Sequence, residues 1–147
     1  MKSMSSDLFN NTDMDKVRVY IKSCYKDNPK LHFYYLALSY CREKKYSEAE
    51  KYFITALDAG LKNYLIYYNL GVMHIEKQEY FKAEAYIKKS IELNRQFDKS
   101  YINLAYIYYE SGDVKRAYRT IKWGTIYANC SMLENLEKKL LGISKTH

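Results

Sequence analysis

The sequence predicts an all-α fold, a solenoid of helical hairpins, and its internal spacing carries the prediction. Leu36-Ala37, Leu70-Gly71 and Leu104-Ala105 recur 34 residues apart. Ala49, Ala83 and Ala117 follow at the same spacing, as do Phe53, Ile87 and Ile121. A period of this length, with small and large apolar positions alternating, means paired helices that bury their apolar faces by stacking on neighbouring pairs. Such a unit offers a concave surface for binding and no built-in chemistry.

Each element has its own signal. Residues 1–12 have little apolar content and read as a flexible tail, and residues 13–28 as an N-terminal helix. Thr12 and Asp15 make its start signal, and Val17, Tyr20, Ile21 and Cys24 fall on one helical face. Pro29, the single proline, is expected to end it. Three hairpins then span 30–131, as 30–63, 64–97 and 98–131. In the first, Phe33, Leu36, Ala37 and Tyr40 mark one helix, Tyr46 the turn, and a Ser47/Glu50 capping box a second helix with Ala49, Phe53 and Ala56 inward. The second hairpin repeats this as Tyr67, Leu70, Gly71 and His74, then Tyr80, Ala83, Ile87 and Ser90. The third gives Tyr101, Leu104, Ala105 and Tyr108, then Val114, Ala117, Ile121 and Gly124. Gly71 and Gly124 read as positions where helices touch, and Gly60, Gly112 and Gly142 as turns or caps. Residues 132–142 read as a capping helix, with a Ser131/Glu134 box at its start, Leu133, Leu136, Leu140 and Leu141 on its apolar face and Gly142 as its stop.

Composition bounds the function. Of 24 aromatic residues, 18 are tyrosine, which can pack a ring while its hydroxyl stays wet. The net charge of +7 is spread along the chain, with +1 or +2 in each successive segment, so no nucleic-acid partner is expected. Cys24, Cys41 and Cys130 form neither a CxxC pair nor a zinc pattern and are expected as reduced, buried thiols in a cytoplasmic protein. The N-terminus lacks a signal-peptide core, and no apolar run is long enough for a transmembrane segment. With three histidines and no phosphate-loop glycine spacing, neither a catalytic site nor a metal or cofactor is expected. His74 occupies a position where the repeat places a packed tyrosine, which points to a structural histidine.

The recurring aromatic, Leu-Gly or Leu-Ala, then aromatic in the first helix, with Ala, a large residue and Ala in the second, resembles the tetratricopeptide repeat family. The resemblance covers about residues 30–131, in three copies of constant register. His74, Ser90 and Gly124 depart from it, as do Leu61, Arg95 and Asn129 where many such repeats have proline. It implies a right-handed solenoid whose first helices line a concave groove. The groove positions it implies are Leu31, Tyr34, Tyr35 and Leu38, then Leu65, Tyr68, Asn69, Val72 and Ile75, then Lys99, Ile102, Asn103, Tyr106 and Tyr109. These lie off the face used for packing, and so apolar a set is costly to leave wet.

The expectation is therefore a non-enzymatic adaptor or scaffold that holds a hydrophobic peptide or helix of another protein. Two other readings use the same surface: a small secretion-type chaperone, and a self-associating subunit of a larger assembly. The N-terminal helix or a neighbouring subunit could also cover the groove. Some family members clamp a chaperone's terminal carboxylate with five polar residues. Asn69 and Lys99 match two of them, but Tyr34, Leu38 and Asn103 replace the others, so that ligand is not expected. Asn69 and Asn103 could form a ladder that bonds a peptide backbone, broken by Tyr35 in the first repeat.

Overall fold

The computed structural model describes residues 13–144, with Leu140, Ile143 and Ser144 by backbone alone. The expected tail at 1–12 lies outside them. Eight helices are present among the described residues: α1 (Met14–Cys24), α2 (Pro29–Arg42), α3 (Tyr46–Asp58), α4 (Tyr64–Glu76), α5 (Tyr80–Leu93), α6 (Asp98–Glu110), α7 (Val114–Ala128) and α8 (Ser131–Ser144). They form two compact units, α1–α3 and α4–α8.

In the first unit α2 and α3 form a hairpin around Ala37, Ala49, Phe53 and Ala56, all fully buried. α1 packs Val17 and Ile21 against them. Arg18 ties α1 to α2: its Nε donates to Ser39 Oγ at 3.2 Å, its guanidinium pairs with Glu43, and it stacks over the Tyr40 ring at 4.0 Å. The α1 cap is Asp13, which accepts from the Asp15 N–H at 3.0 Å; Thr12 lies outside the described residues. α1 ends at Cys24, so Pro29 does not terminate it. Pro29 instead opens α2, where its missing N–H costs nothing and Asn28 accepts from the Leu31 N–H.

The second unit is built on the same small-against-large contacts. Leu70, Gly71 and His74 of α4 face Ala83, Ile87 and Ser90 of α5, and Tyr101, Leu104, Ala105 and Tyr108 of α6 face Ala117, Ile121 and Gly124 of α7. Leu133 of α8 is fully buried against this core. Gly71 and Gly124 are close-contact positions. A Cβ on Gly71 would stand 2.5 Å from Ile87 Cδ1, and one on Gly124 would stand 2.8 Å from Tyr101 Cβ.

The helix ends differ from the sequence reading. α3 begins at Tyr46 with Lys45 as a cap that uses no side chain, so Ser47 sits inside the first turn and no Ser47/Glu50 box caps the helix. α8 likewise starts at Ser131, with the Cys130 carbonyl accepting from Leu133 and Glu134. It runs through Gly142, which is therefore not its stop, and Leu141 is exposed rather than on the packed face. The side chain of Leu140 is not among those described.

One device recurs with the repeat. Lys44, Gln78 and Gly112, each 34 residues from the next, all have positive φ, of 57°, 60° and 79°. In each, the following N–H reaches back to the last turn: Lys45 to Tyr40 O, Glu79 to His74 O and Asp113 to Tyr108 O, at 2.8–3.0 Å. This is the left-handed C-terminal turn that satisfies orphan carbonyls, here made twice without glycine.

Candidate functional site

The groove positions fall on α2, α4 and α6. On α2, Leu31, Tyr35 and Leu38 are half-buried, while Tyr34 is only 8% exposed. Its ring lies 6.2 Å from that of Phe53, so Tyr34 belongs to the core and offers almost no surface. Tyr35 is stacked on Tyr25, the residue after α1, at 4.7 Å and 17°. Burial and a hydrogen bond to Tyr35 push the Tyr25 hydroxyl up to about 12. The segment following α1 thus covers part of the α2 face.

On α4, Leu65, Tyr68, Asn69, Val72 and Ile75 are half-buried. Tyr68 and Ile75 pack against the α5–α8 core, and Tyr68 also meets Phe97 edge-on at 5.0 Å. Asn69 Nδ2 donates back to the Leu65 carbonyl at 2.8 Å, which commits part of its amide within the helix.

On α6, Lys99 is exposed and Ile102 and Asn103 are half-buried, while Tyr106 and Tyr109 are 43% and 52% exposed. Ile102, Tyr106 and Tyr109 converge on a pocket of about 220 Å³ with an almost wholly apolar lining. Ala105, Ala117 and Ile121 form its floor, and Leu136 of α8 its far wall. Tyr80 stands edge-on to Tyr106 at 6.5 Å, and their hydrogen bond raises the Tyr106 hydroxyl above the ordinary tyrosine range. Sequence reasoning had no part for Tyr80 here and assigned Leu136 to capping alone. The one available signal was that α8 follows the last hairpin as a further first helix would.

Groups that could do chemistry are used elsewhere. His74 is buried, stacks on Tyr86 at 5.4 Å and has Nδ1 2.5 Å from Glu79 Oε2. That bond, helped by Lys82, holds the Glu79 carboxyl below its ordinary range. Cys24 is exposed, against the expectation that all three thiols are buried, and none of the three is in a disulfide. Burial pushes the Cys41 thiol up to about 11, and Cys130 Sγ donates to Asp98 Oδ2 at 3.1 Å. No cluster of three His, Cys, Asp or Glu side chains able to hold a metal occurs among the described residues. No described helix is long and apolar enough to cross a membrane.

Residues 64–97, spanning α4, α5 and the turn after them, match the sequence model of the tetratricopeptide repeat. Residues 64–97 are thus similar to one tetratricopeptide repeat, in a chain that has the tetratricopeptide repeat fold. Solved structures agree on the fold. MamA shares 15% identity at a TM-score of 0.74, with 99% of this chain and 97% of that one covered. A tetratricopeptide repeat protein from Parabacteroides merdae shares 18% at 0.75, over 92% of this chain and 55% of that one. YrrB, described as a tetratricopeptide repeat protein with an unusual peptide-binding site, shares 19% at 0.65 over 78% of this chain. The chain spans 60% of the length of YrrB. At these identities the likeness is one of fold. No curated protein sequence matches this chain.

Proposed function

We propose that this protein is a non-enzymatic interaction adaptor that holds an apolar peptide or helix of a partner protein on the α4/α6 face. The observation that carries the reading is the pocket at Ile102, Tyr106, Tyr109 and Leu136. It is apolar, open at the surface and rimmed by two tyrosines whose hydroxyls can bond a passing backbone. A large aliphatic or aromatic side chain of the partner fills it, with Val72 and Leu65 extending the contact along α4. The description of YrrB as a peptide binder supports the same use of this fold. Lys99 is a single cation at the edge, and the amide of Asn69 is turned into its own helix, so the ligand is read through apolar side chains rather than through a terminal carboxylate.

The test is Tyr106→Ala with Tyr109→Ala, followed by crosslinking mass spectrometry of the captured partner and circular dichroism on the same sample. Central interface aromatics contribute about 2 kcal/mol or more each, so capture falls by about 100-fold while helicity stays. Unchanged capture refutes the site. Loss of helicity shows that these rings belong to the core.

A further inference from the structure

The even spread of positive charge does not hold on α7. Lys115, Arg116, Arg119 and Lys122 all lie on this helix, which contains no acidic residue. All four share one exposed face with Trp123, Ile126 and Tyr127. Trp123 and Ile126 are 57% and 65% exposed, although large apolar side chains of this kind ordinarily seek cover. Beside them a second pocket, of about 300 Å³, opens between α5, α6 and α7. Ile91, Tyr101 and Leu104 form its floor, Trp123 one wall, and Lys88, Arg116 and Arg119 its rim.

The rim is pre-set. Glu84 accepts from Lys88 Nζ at 2.6 Å and from the Tyr108 hydroxyl at 2.8 Å, and Arg116 is held by Asp113 at 2.6 Å while stacking over Tyr108 at 4.4 Å. Arg119 and Lys122 make no hydrogen bond or ion pair among the described residues, although Arg119 stands near enough to Asp113 to help hold its carboxyl below the ordinary range. Counting Lys88, this face carries five cations against Glu84 and Asp113, and three of them, Lys88, Arg116 and Arg119, line the apolar pocket. Like charges three and four residues apart on one helix repel, and carboxylates from outside would relieve that repulsion.

We propose that the α5–α7 face is a second docking surface, for an acidic partner peptide that carries a large apolar anchor. The anchor enters the pocket against Trp123, and flanking carboxylates pair with Arg119 and Lys122. From Lys115 to Tyr127 the face runs roughly 18 Å, the length of about twelve helical residues. Phosphate-rich nucleic acid fits poorly, because Glu84 and Asp113 sit within the patch and the floor is apolar. A flat bilayer would meet Ile126 but leave the recessed pocket unfilled. A second copy of this chain brings a like net charge of +7. The surface uses none of the residues of the Tyr106/Tyr109 pocket, so it stands or falls independently of the adaptor reading.

Trp123 is the single tryptophan, so its emission reports on this site directly. The probe is an acetylated, amidated peptide of about twelve residues, matched to that helical length, with Glu at alternate turns around a Leu-Phe pair. Saturable binding with a blue shift of Trp123 emission is expected. Arg119→Glu with Lys122→Glu weakens it by about tenfold or more, and a peptide with Lys in place of Glu binds the reversed variant better than the parent. Equal binding of a Gln-for-Glu peptide overturns the proposal, because charge would then play no part. So does equal binding of a peptide with Ser in place of Leu and Phe, because the pocket would be idle. An absent emission change, or a response to phosphatidylserine vesicles or duplex DNA but not to the peptide, overturns it as well.

Discussion

Gly124→Ala sets two opposed effects against each other. Within α7, alanine in place of glycine favours the helix by about 1 kcal/mol. The added Cβ, however, would stand 2.8 Å from Tyr101 Cβ, 2.9 Å from its Cγ and 2.8 Å from Leu133 Cδ1. Carbon atoms sit comfortably at about 3.5–4.0 Å. Leu133 can rotate its methyl away. Tyr101 Cβ cannot, because it is bonded directly to the α6 backbone and its ring is buried with its hydroxyl donating to the Arg95 carbonyl at 3.0 Å. Relief therefore requires α6 and α7 to move apart, and overpacking of this kind costs about 1–3 kcal/mol or more. Contacts below 3.0 Å to the backbone-anchored Tyr101 place the cost in the upper part of that range, about 2–3 kcal/mol, so the expected net result is a loss of about 1–2 kcal/mol once the helix gain is subtracted. For a chain of this length that lowers the melting temperature by about 2–8 °C. Gly142→Ala is the matched control, since α8 runs through it and, beyond its own helical turn, no described atom lies within 4 Å of the new Cβ. It should leave the melt unchanged or raise it. Thermal melts followed by far-ultraviolet circular dichroism decide the matter. A Gly124→Ala protein as stable as the parent, beside an unchanged or stabilised Gly142→Ala, would refute the close α6–α7 contact.

Other outcomes follow from the same contacts. Gly71→Ala presses on the end of the Ile87 side chain, so pairing it with Ile87→Val should recover part of its cost, and a double-mutant cycle should show non-additivity of about 0.5 kcal/mol or more. Gln78→Gly should stabilise by about 0.5–1 kcal/mol, because a left-handed φ strains any residue with a Cβ; a lower melting temperature would contradict this. Glu79 titrates below its ordinary range because of its bond to His74, so its contribution is present above the unfolded value, near pH ~4.3, and is lost as pH falls through the folded value. Melting temperature against pH should therefore fall less steeply on the acid side in Glu79→Gln than in the parent. Tyr68→Ala, unlike the Tyr106/Tyr109 pair, should destabilise measurably, since its ring packs on Phe97 and the core.

The core was legible because a repeated small-large pattern is itself a record of helix contacts. Ala37, Phe53, Leu70, Ile87, Ala105 and Ile121 are all buried at the positions their 34-residue spacing assigns. Helix starts were less legible. A Ser-x-x-Glu pair looks the same whether it caps a helix or lies in its first turn, and the backbone cap at Lys45 leaves no side-chain signature. The left-handed turns at Lys44 and Gln78 were hidden for a similar reason, since only Gly112 carries the residue that announces such a turn. Charge misled through averaging. The third repeat sums to +2 because Asp98, Glu110 and Asp113 offset the cations of α7, yet Asp98 and Glu110 lie on α6. The α2 groove face was misjudged at Tyr34, whose ring turns to Phe53.

The tyrosines show how one residue type serves both core and surface. Tyr101 and Tyr108 bury their rings, and each hydroxyl emerges at an edge where an acceptor waits, the Arg95 carbonyl and the Glu84 carboxylate. Burial pushes both hydroxyls above the ordinary tyrosine range, so they stay protonated donors. Tyr106 and Tyr109 lie on the same helix, five and eight positions after Tyr101, and angular separation turns them to the exposed rim of the pocket floored by Ala117 and Ile121. Phenylalanine at all four positions would keep the packing but leave Glu84 and the Arg95 carbonyl without those donors, and would make the exposed pair harder to keep in water. On α6, tyrosine thus serves a helix that packs on one side and faces water on the other.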